Sequence, residues 1–228
     1  MKRAGTFTAV VFAAAFAGAA PAGAAVITTS ASAPVAAEIS QPDFSAPAFN
    51  GSQDFTDNAG PPGQTFTTGP AGSNFRAVTV KGFANTQASF GGNVNTGTWT
   101  ITVSRVDPGN VLTRVDQETA SPAAVTNGAD YVTVALDTPV ALSPNTTYAF
   151  DLFSSSGYFG LAKSSTDVYA GGVAMQHGST ARSAADAALI TNPQTGDRTF
   201  FINPVPEPGA VGLVGLATLG VLARRRRV

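Results

Sequence analysis

The chain has no cysteine and only one histidine, His177. Without cysteine there is no disulfide and no thiol nucleophile, and one histidine is too few for a zinc site built from several imidazoles. No Gly-x-Ser-x-Gly elbow surrounds a serine, so a serine hydrolase triad would depend on His177 in a loop-like segment. No phosphate-binding loop is present. These absences predict that the protein is not an enzyme.

Charge is scarce, at 12% of residues, and it is unevenly placed. Lys2, Arg3 and the arginines at 224–227 supply six of the thirteen basic residues, whereas all fourteen acidic residues follow residue 24. The body between the two ends is therefore net acidic. An acidic body is not expected to seek nucleic acid or anionic lipid, so the sequence predicts no nucleic-acid partner.

The first residues have the three parts of a secretory signal peptide. Lys2 and Arg3 form a basic start, residues 5–20 are apolar, and Ala22, Gly23 and Ala24 form an A-x-A cleavage site. This order predicts a signal helix over residues 1–24 and a mature chain that starts at Ala25. We therefore expect the body to be exported across the inner membrane.

The last residues form a second targeting segment. Pro206 and Pro208 fix the backbone around Glu207 in an extended form. Residues 209–223 carry no charge, and as a helix they would rise about 22 Å, which is short of a ~30 Å hydrocarbon core. Arg224, Arg225, Arg226 and Arg227 follow and should stay cytoplasmic. We expect a marginal transmembrane helix that holds the protein temporarily, rather than a buried core helix with a basic tip.

In this order, the Pro-Glu-Pro tripeptide, the apolar run and the arginine block resemble the PEP-CTERM sorting signal. Proteins with this signal are thought to be substrates of exosortase, a membrane enzyme of biofilm-forming Gram-negative bacteria. The resemblance implies exosortase and the secretion machinery as partners, with cleavage near Pro206, Glu207 and Pro208. Tails of this type are also called ice-binding-protein C-terminal segments, a label that describes the tail and not the body.

The body shows the period-two alternation of β-strands. Trp99, Ile101 and Val103 are expected to share one buried face of a strand. Residues 64–203 show several such runs separated by turn signals and predict an antiparallel β-sandwich. Residues 25–63 are rich in Ala, Ser and Pro and predict a linker, with an edge strand near Gln53. Residues 180–190 predict a short helix or a loop.

Three short segments of the body resemble the choice-of-anchor domains, which are bacterial surface β-sandwiches that precede several kinds of C-terminal anchor. The segments are QTFTTG at 64–69, LSPNTTY at 142–148 and YAGG at 169–172. The resemblance implies a fold like that of jelly-roll carbohydrate-binding modules. The expected architecture is therefore an all-β, jelly-roll-like antiparallel sandwich, flanked by the signal helix and a C-terminal transmembrane helix.

Two groups of side chains are candidate binding residues. Asp54, Asp57 and Asn58 could offer oxygen ligands to calcium, although a turn explains them better and no cofactor is predicted. The second group consists of aromatic side chains that could contact glycans, namely Phe153, Tyr158 and Phe159. Aromatic rings beside a polar loop can stack on sugars, and core packing at a hairpin is the alternative explanation.

These observations leave several functions open. The leading hypothesis is an exported, exosortase-sorted protein of the cell envelope or the extracellular polysaccharide matrix, with a structural or adhesive body. The second is a carbohydrate-binding module with a defined sugar site. A hydrolase with paired carboxylates is a third. An ice-binding surface is a fourth, for which Thr98, Thr100 and Thr102 offer one row without a repeat to extend it.

Overall fold

The computed structural model describes residues 24–43, 62–83, 94–95, 98–120, 125–126, 131–154, 160–176, 187–189 and 196–203. These ranges contain β-strands and no helix, and therefore no helix that could cross a membrane. The predicted signal and transmembrane helices lie outside them. The strands are β1 (Val26–Ser30), β2 (Ile39–Gln41), β3 (Pro62–Thr67), β4 (Ser73–Phe83), β5 (Val94–Asn95), β6 (Trp99–Asp107), β7 (Val111–Ala120), β8 (Val125–Thr126), β9 (Tyr131–Leu142), β10 (Thr147–Ser154), β11 (Gly160–Leu161), β12 (Ala174–Gln176), β13 (Ala187–Leu189) and β14 (Phe200–Ile202).

The strands form two main antiparallel sheets. Sheet I has the order β1-β9-β4-β14-β2, with β11 paired to the end of β4. Sheet II has the order β12-β3-β10-β6-β7-β13, and β5 pairs with β8 in a small separate ribbon. Eight of these strands follow the jelly-roll path, since β2-β14-β4-β9 face β3-β10-β6-β7. The predicted jelly-roll-like sandwich is therefore confirmed.

The core lies between the two sheets and is built by the alternation seen in the sequence. On β6, Trp99, Ile101 and Val103 are at most 1% exposed, as predicted. Val78 and Val80 on β4 face them from sheet I in the same core cluster. Its other fully buried members are Phe66, Phe75, Val132, Val134, Phe150, Leu152, Phe200 and Ile202. Burying side chains of this size is the main source of stability in a chain without disulfides.

The linker prediction for residues 25–63 is wrong for two segments. Val26–Ser30 pairs with β9 and Ile39–Gln41 pairs with β14, so both segments are edge strands of sheet I. Their apolar pattern is weak because edge strands bury little, and four of the five β1 residues are exposed. The edge strand expected near Gln53 lies outside the described residues.

One further segment differs from the sequence prediction. Ala187–Leu189, expected in a helix or a loop, is a strand paired with β7.

The strand β9 is continuous through Pro139. Its ladder with β4 breaks at Pro139, where the Glu118 carboxylate accepts the N–H groups of Asp137 and Thr138 at 2.8 and 3.3 Å. A proline is tolerated there because its missing N–H falls in the break.

The strand ends define two ends of the sandwich. The turns at 68–72, 108–110 and 143–146 lie at one end, and β14 runs toward it. We call this the exit end because residue 203 leaves the last strand toward it. The strand boundaries at residues 83, 99, 120, 131 and 154 lie at the opposite end, which we call the far end.

Candidate functional site

Asn203 is the last described residue, and it follows the final strand directly. Its φ angle is 50°, a left-handed conformation that asparagine adopts more readily than most residues. Its N–H donates to the Ala77 carbonyl at 2.9 Å and so adds one more bond to the ladder between β14 and β4. The next residue is Pro204, which has no N–H with which to extend that ladder. The strand therefore ends at a defined point.

The side-chain amide of Asn203 forms hydrogen bonds with the backbone of β4, in the place where a further strand residue would otherwise pair. Its carbonyl oxygen accepts the N–H of Arg76 at 2.7 Å, at the bulge of β4 between Phe75 and Ala77. Its amide nitrogen donates to the Asn74 carbonyl at 2.9 Å and to the Glu38 carboxylate at 2.6 Å. One side chain thus ties the start of β4 to the segment before β2, where the chain leaves the sandwich.

A groove of about 780 Å³ lies beside this residue at the exit end. Its lining includes Glu38, Asn74, Arg76, Leu142 and Asn203. Glu38, Asn74 and Arg76 are exposed. The groove therefore offers polar and charged groups to a partner, beside the apolar side chains of Ala37, Ala71, Ala141 and Leu142.

A second polar group is buried deep in the sandwich, next to β14. Asp197 is fully buried, and its carboxylate accepts from the Gln64 amide at 2.9 Å and from the N–H groups of Val168 and Tyr169 at 2.9 and 2.8 Å. Gln64 in turn accepts the N–H of Arg198 at 2.8 Å. These bonds use both carboxylate oxygens, so Asp197 is a structural acceptor that ties the segment around residue 168 to β3.

Two buried cations accompany this carboxylate. Arg198 is fully buried and Lys163 is 6% exposed, and the two residues form an isolated antiparallel bridge. Burial and the neighbouring Arg198 guanidinium lower the pKa of Lys163. Gly196 precedes the cluster with a φ angle of 83°, and a Cβ there would lie 2.1 Å from the Ser164 carbonyl oxygen. A side chain at position 196 would therefore clash with the backbone of Ser164 beside this bridge.

The residues that follow Asn203 match a known family model. The matched description is the PEP-CTERM protein-sorting motif, and the match covers residues 204–227. The chain carries a PEP-CTERM motif directly after its sandwich. This finding confirms the resemblance seen in the sequence. No curated protein and no solved structure matches the chain.

The PEP-CTERM motif indicates a protein that exosortase targets and that is exported to the cell envelope of a Gram-negative bacterium. The residues predicted to act in sorting lie inside the matched segment and outside the described residues. They are the tripeptide Pro206, Glu207 and Pro208, and the basic cluster Arg224, Arg225, Arg226 and Arg227.

The candidate binding residues are only partly described. Phe153 is half-buried on β10, and it lies on the opposite face from Leu152, which points into the core. Tyr158, Phe159 and His177 lie outside the described ranges. Asp54, Asp57 and Asn58 lie outside them too. Within the part of the chain that is described, no group of three or more His, Cys, Asp or Glu side chains could hold a metal ion.

The threonine row considered for ice binding does not form an exposed array. Thr102 is 4% exposed, and its hydroxyl accepts a bond from the Gln117 amide at 3.0 Å. Thr100 is half-buried, and only Thr98 is exposed. A row in which one of three threonines is exposed cannot present a flat, regular surface to ice.

Asn203, Asp197 and Gln64 were not predicted from the sequence. Each has a partner that lies more than 120 residues away in the chain, as in the bond between Gln64 and Asp197. No spacing rule connects such residues. The one local signal was the Asn-Pro pair at 203–204, which often marks the end of a regular element.

Proposed function

We propose that this protein is held at the inner membrane by its PEP-CTERM segment, is processed there by exosortase, and then serves a structural or adhesive role in the cell envelope or the extracellular polysaccharide matrix. The observation that supports this proposal is the position of the motif. The matched segment begins at residue 204, and the sandwich is complete at Asn203. The whole folded body would therefore be on the exported side of the cleavage point.

We also propose that the body is not an enzyme and needs no cofactor. The deepest carboxylate among the described residues, Asp197, is fully buried and uses both oxygens in hydrogen bonds. Glu118, which is 4% exposed, accepts hydrogen bonds from two backbone N–H groups of β9. Both carboxylates thus have structural partners, which argues against either of them serving as a catalytic acid or base.

Replacing Pro206, Glu207 and Pro208 by alanine should leave an uncleaved protein in the inner membrane. The substitution removes the extended recognition segment but leaves the apolar run at residues 209–223 intact. Cell fractionation with an antibody against the sandwich would measure the ratio of membrane-held to released protein. We expect released protein to fall at least about tenfold, which is a change of roughly 1.4 kcal/mol in effective processing free energy.

The matched control is Val35→Ala, at an exposed position of the body outside the matched segment. It leaves the tripeptide, the apolar run and the arginine block intact, so cleavage should persist. Equal release of the wild-type protein and the tripeptide variant would contradict exosortase processing.

A carbohydrate-binding body is the second candidate, and the position of Phe153 supports it. Phe153 lies at the far end, half-buried and opposite Thr100 on the neighbouring strand. A partly exposed ring beside a hydroxyl can stack on a sugar. We expect Phe153→Ala to weaken polysaccharide binding about fivefold, roughly 1 kcal/mol for one aromatic contact.

Affinity electrophoresis in polysaccharide gels would measure this effect, with Thr98→Ala as a control at an exposed neighbouring position. Binding should be the same with and without EDTA. Retardation that EDTA abolishes would instead favour calcium bound by Asp54, Asp57 and Asn58. Unchanged binding by the Phe153 variant would remove this residue from the sugar site.

A further inference from the structure

The tether between the sandwich and the Pro-Glu-Pro tripeptide of the sorting motif is very short. Only Pro204 and Val205 separate Asn203 from Pro206. A fully extended chain spans at most about 3.6 Å per residue, so the Cα atoms of Asn203 and Pro206 are no more than about 11 Å apart. By the same reasoning, Gly209, where the apolar run starts, is within about 22 Å of Asn203. An enzyme that binds the tripeptide must therefore approach the surface of the sandwich.

The starting point of this tether is fixed. Asn203 is bound through its own N–H, its side-chain oxygen and its side-chain nitrogen to Ala77, Arg76 and Asn74. Ile202 beside it is fully buried and pairs with Val78. Lengthening the tether by unpeeling β14 would expose Ile202 and break these bonds. The sandwich therefore cannot swing freely away from the motif.

We propose that the groove beside Asn203 is the face that the sandwich turns toward exosortase while the motif occupies the active site of the enzyme. This inference rests on the proposed function and adds the contact surface to it. Glu38, Asn74 and Arg76 line the groove and are exposed within one or two side-chain lengths of Asn203. Their side chains offer hydrogen-bond donors and acceptors and one charge of each sign to the enzyme. The far end, with Phe153, points away from the membrane in this arrangement.

The absence of cysteine permits a direct test on the full chain. Arg76→Cys places a single thiol at the groove, and Arg114→Cys places one on β7 of the other sheet. Both arginines are exposed and both substitutions remove the same charge. Each purified precursor is modified with a bulky polyethylene glycol maleimide or with small N-ethylmaleimide, and is then added to membranes that contain exosortase. We expect the bulky group at residue 76 to slow cleavage at least about tenfold, and the same group at residue 114 to have little effect.

A spacer distinguishes obstruction from damage to the fold. A flexible insert of roughly eight Gly and Ser residues after Asn203 adds a reach of about 16 Å. It should restore cleavage of the precursor that carries the bulky group at residue 76. Equal cleavage of the two bulky-labelled precursors would overturn the proposal, and so would a block at residue 76 that the spacer does not relieve. If replacing the tripeptide by alanine fails to prevent cleavage, the proposed function itself fails, and the labelled precursors are not needed to show it.

Discussion

Replacing Asp197 by alanine should lower the free energy of unfolding by about 3–5 kcal/mol, a size typical of breaking a buried charged partner. Three donors lose their acceptor at once: the Gln64 amide and the N–H groups of Val168 and Tyr169. Asp197 is fully buried, so water cannot readily replace the carboxylate. Urea unfolding of residues 25–203, followed by the fluorescence of the single tryptophan, would measure the loss.

A charge swap provides the control for this prediction. Asp197→Asn keeps the size of the side chain but turns an amide nitrogen toward the Gln64 amide or toward the two backbone donors. Adding Gln64→Glu restores an acceptor that faces both this amide and the N–H of Arg198. We expect the double variant to recover at least about 1 kcal/mol relative to Asp197→Asn alone. A loss of less than about 1 kcal/mol for Asp197→Ala would mean that the hydrogen bonds of this carboxylate contribute little.

Replacing Trp99 by alanine should cost about 3–5 kcal/mol, the usual range for deleting a large aromatic from a core. Trp99 is fully buried at the start of β6, and its face continues with Ile101 and Val103 in the main core cluster. A cavity the size of an indole cannot be filled by small shifts of strands that are paired on both sides. Since this variant removes the tryptophan, circular dichroism would follow its unfolding.

Val115→Ala is the matched control, because Val115 lies on neighbouring β7 and is 43% exposed. Its effect should stay within about 0.5 kcal/mol. If Trp99→Ala cost less than about 1 kcal/mol, the tryptophan would not be a core residue, and its role as a sugar platform would need to be considered again.

The sequence was a good guide where burial follows the strand period. On β6 and β10, alternate residues such as Ile101 and Leu152 belong to the main core cluster, and period-two reasoning identifies both strands, although intervening residues such as Thr102 and Asp151 are buried as well. It failed on β1 and β2, whose pairing is mostly through backbone that any residue can supply. The sorting motif was identified because all its parts are local. Asn203 was missed as a functional residue because its partners, such as Arg76 and Glu38, are brought to it only by the fold.

The position of β14 has a consequence for the order of events during export. This strand is the last part of the body to be synthesised, yet it lies between β4 and β2 inside sheet I. Sheet I therefore cannot close until residues 200–202 have crossed to the same side of the membrane as the strands on either side of them. Such long-range pairing is slow to form. The body should therefore stay unfolded enough to be translocated for nearly the whole of export. The arrival of the sorting segment at the membrane should coincide with the completion of the fold.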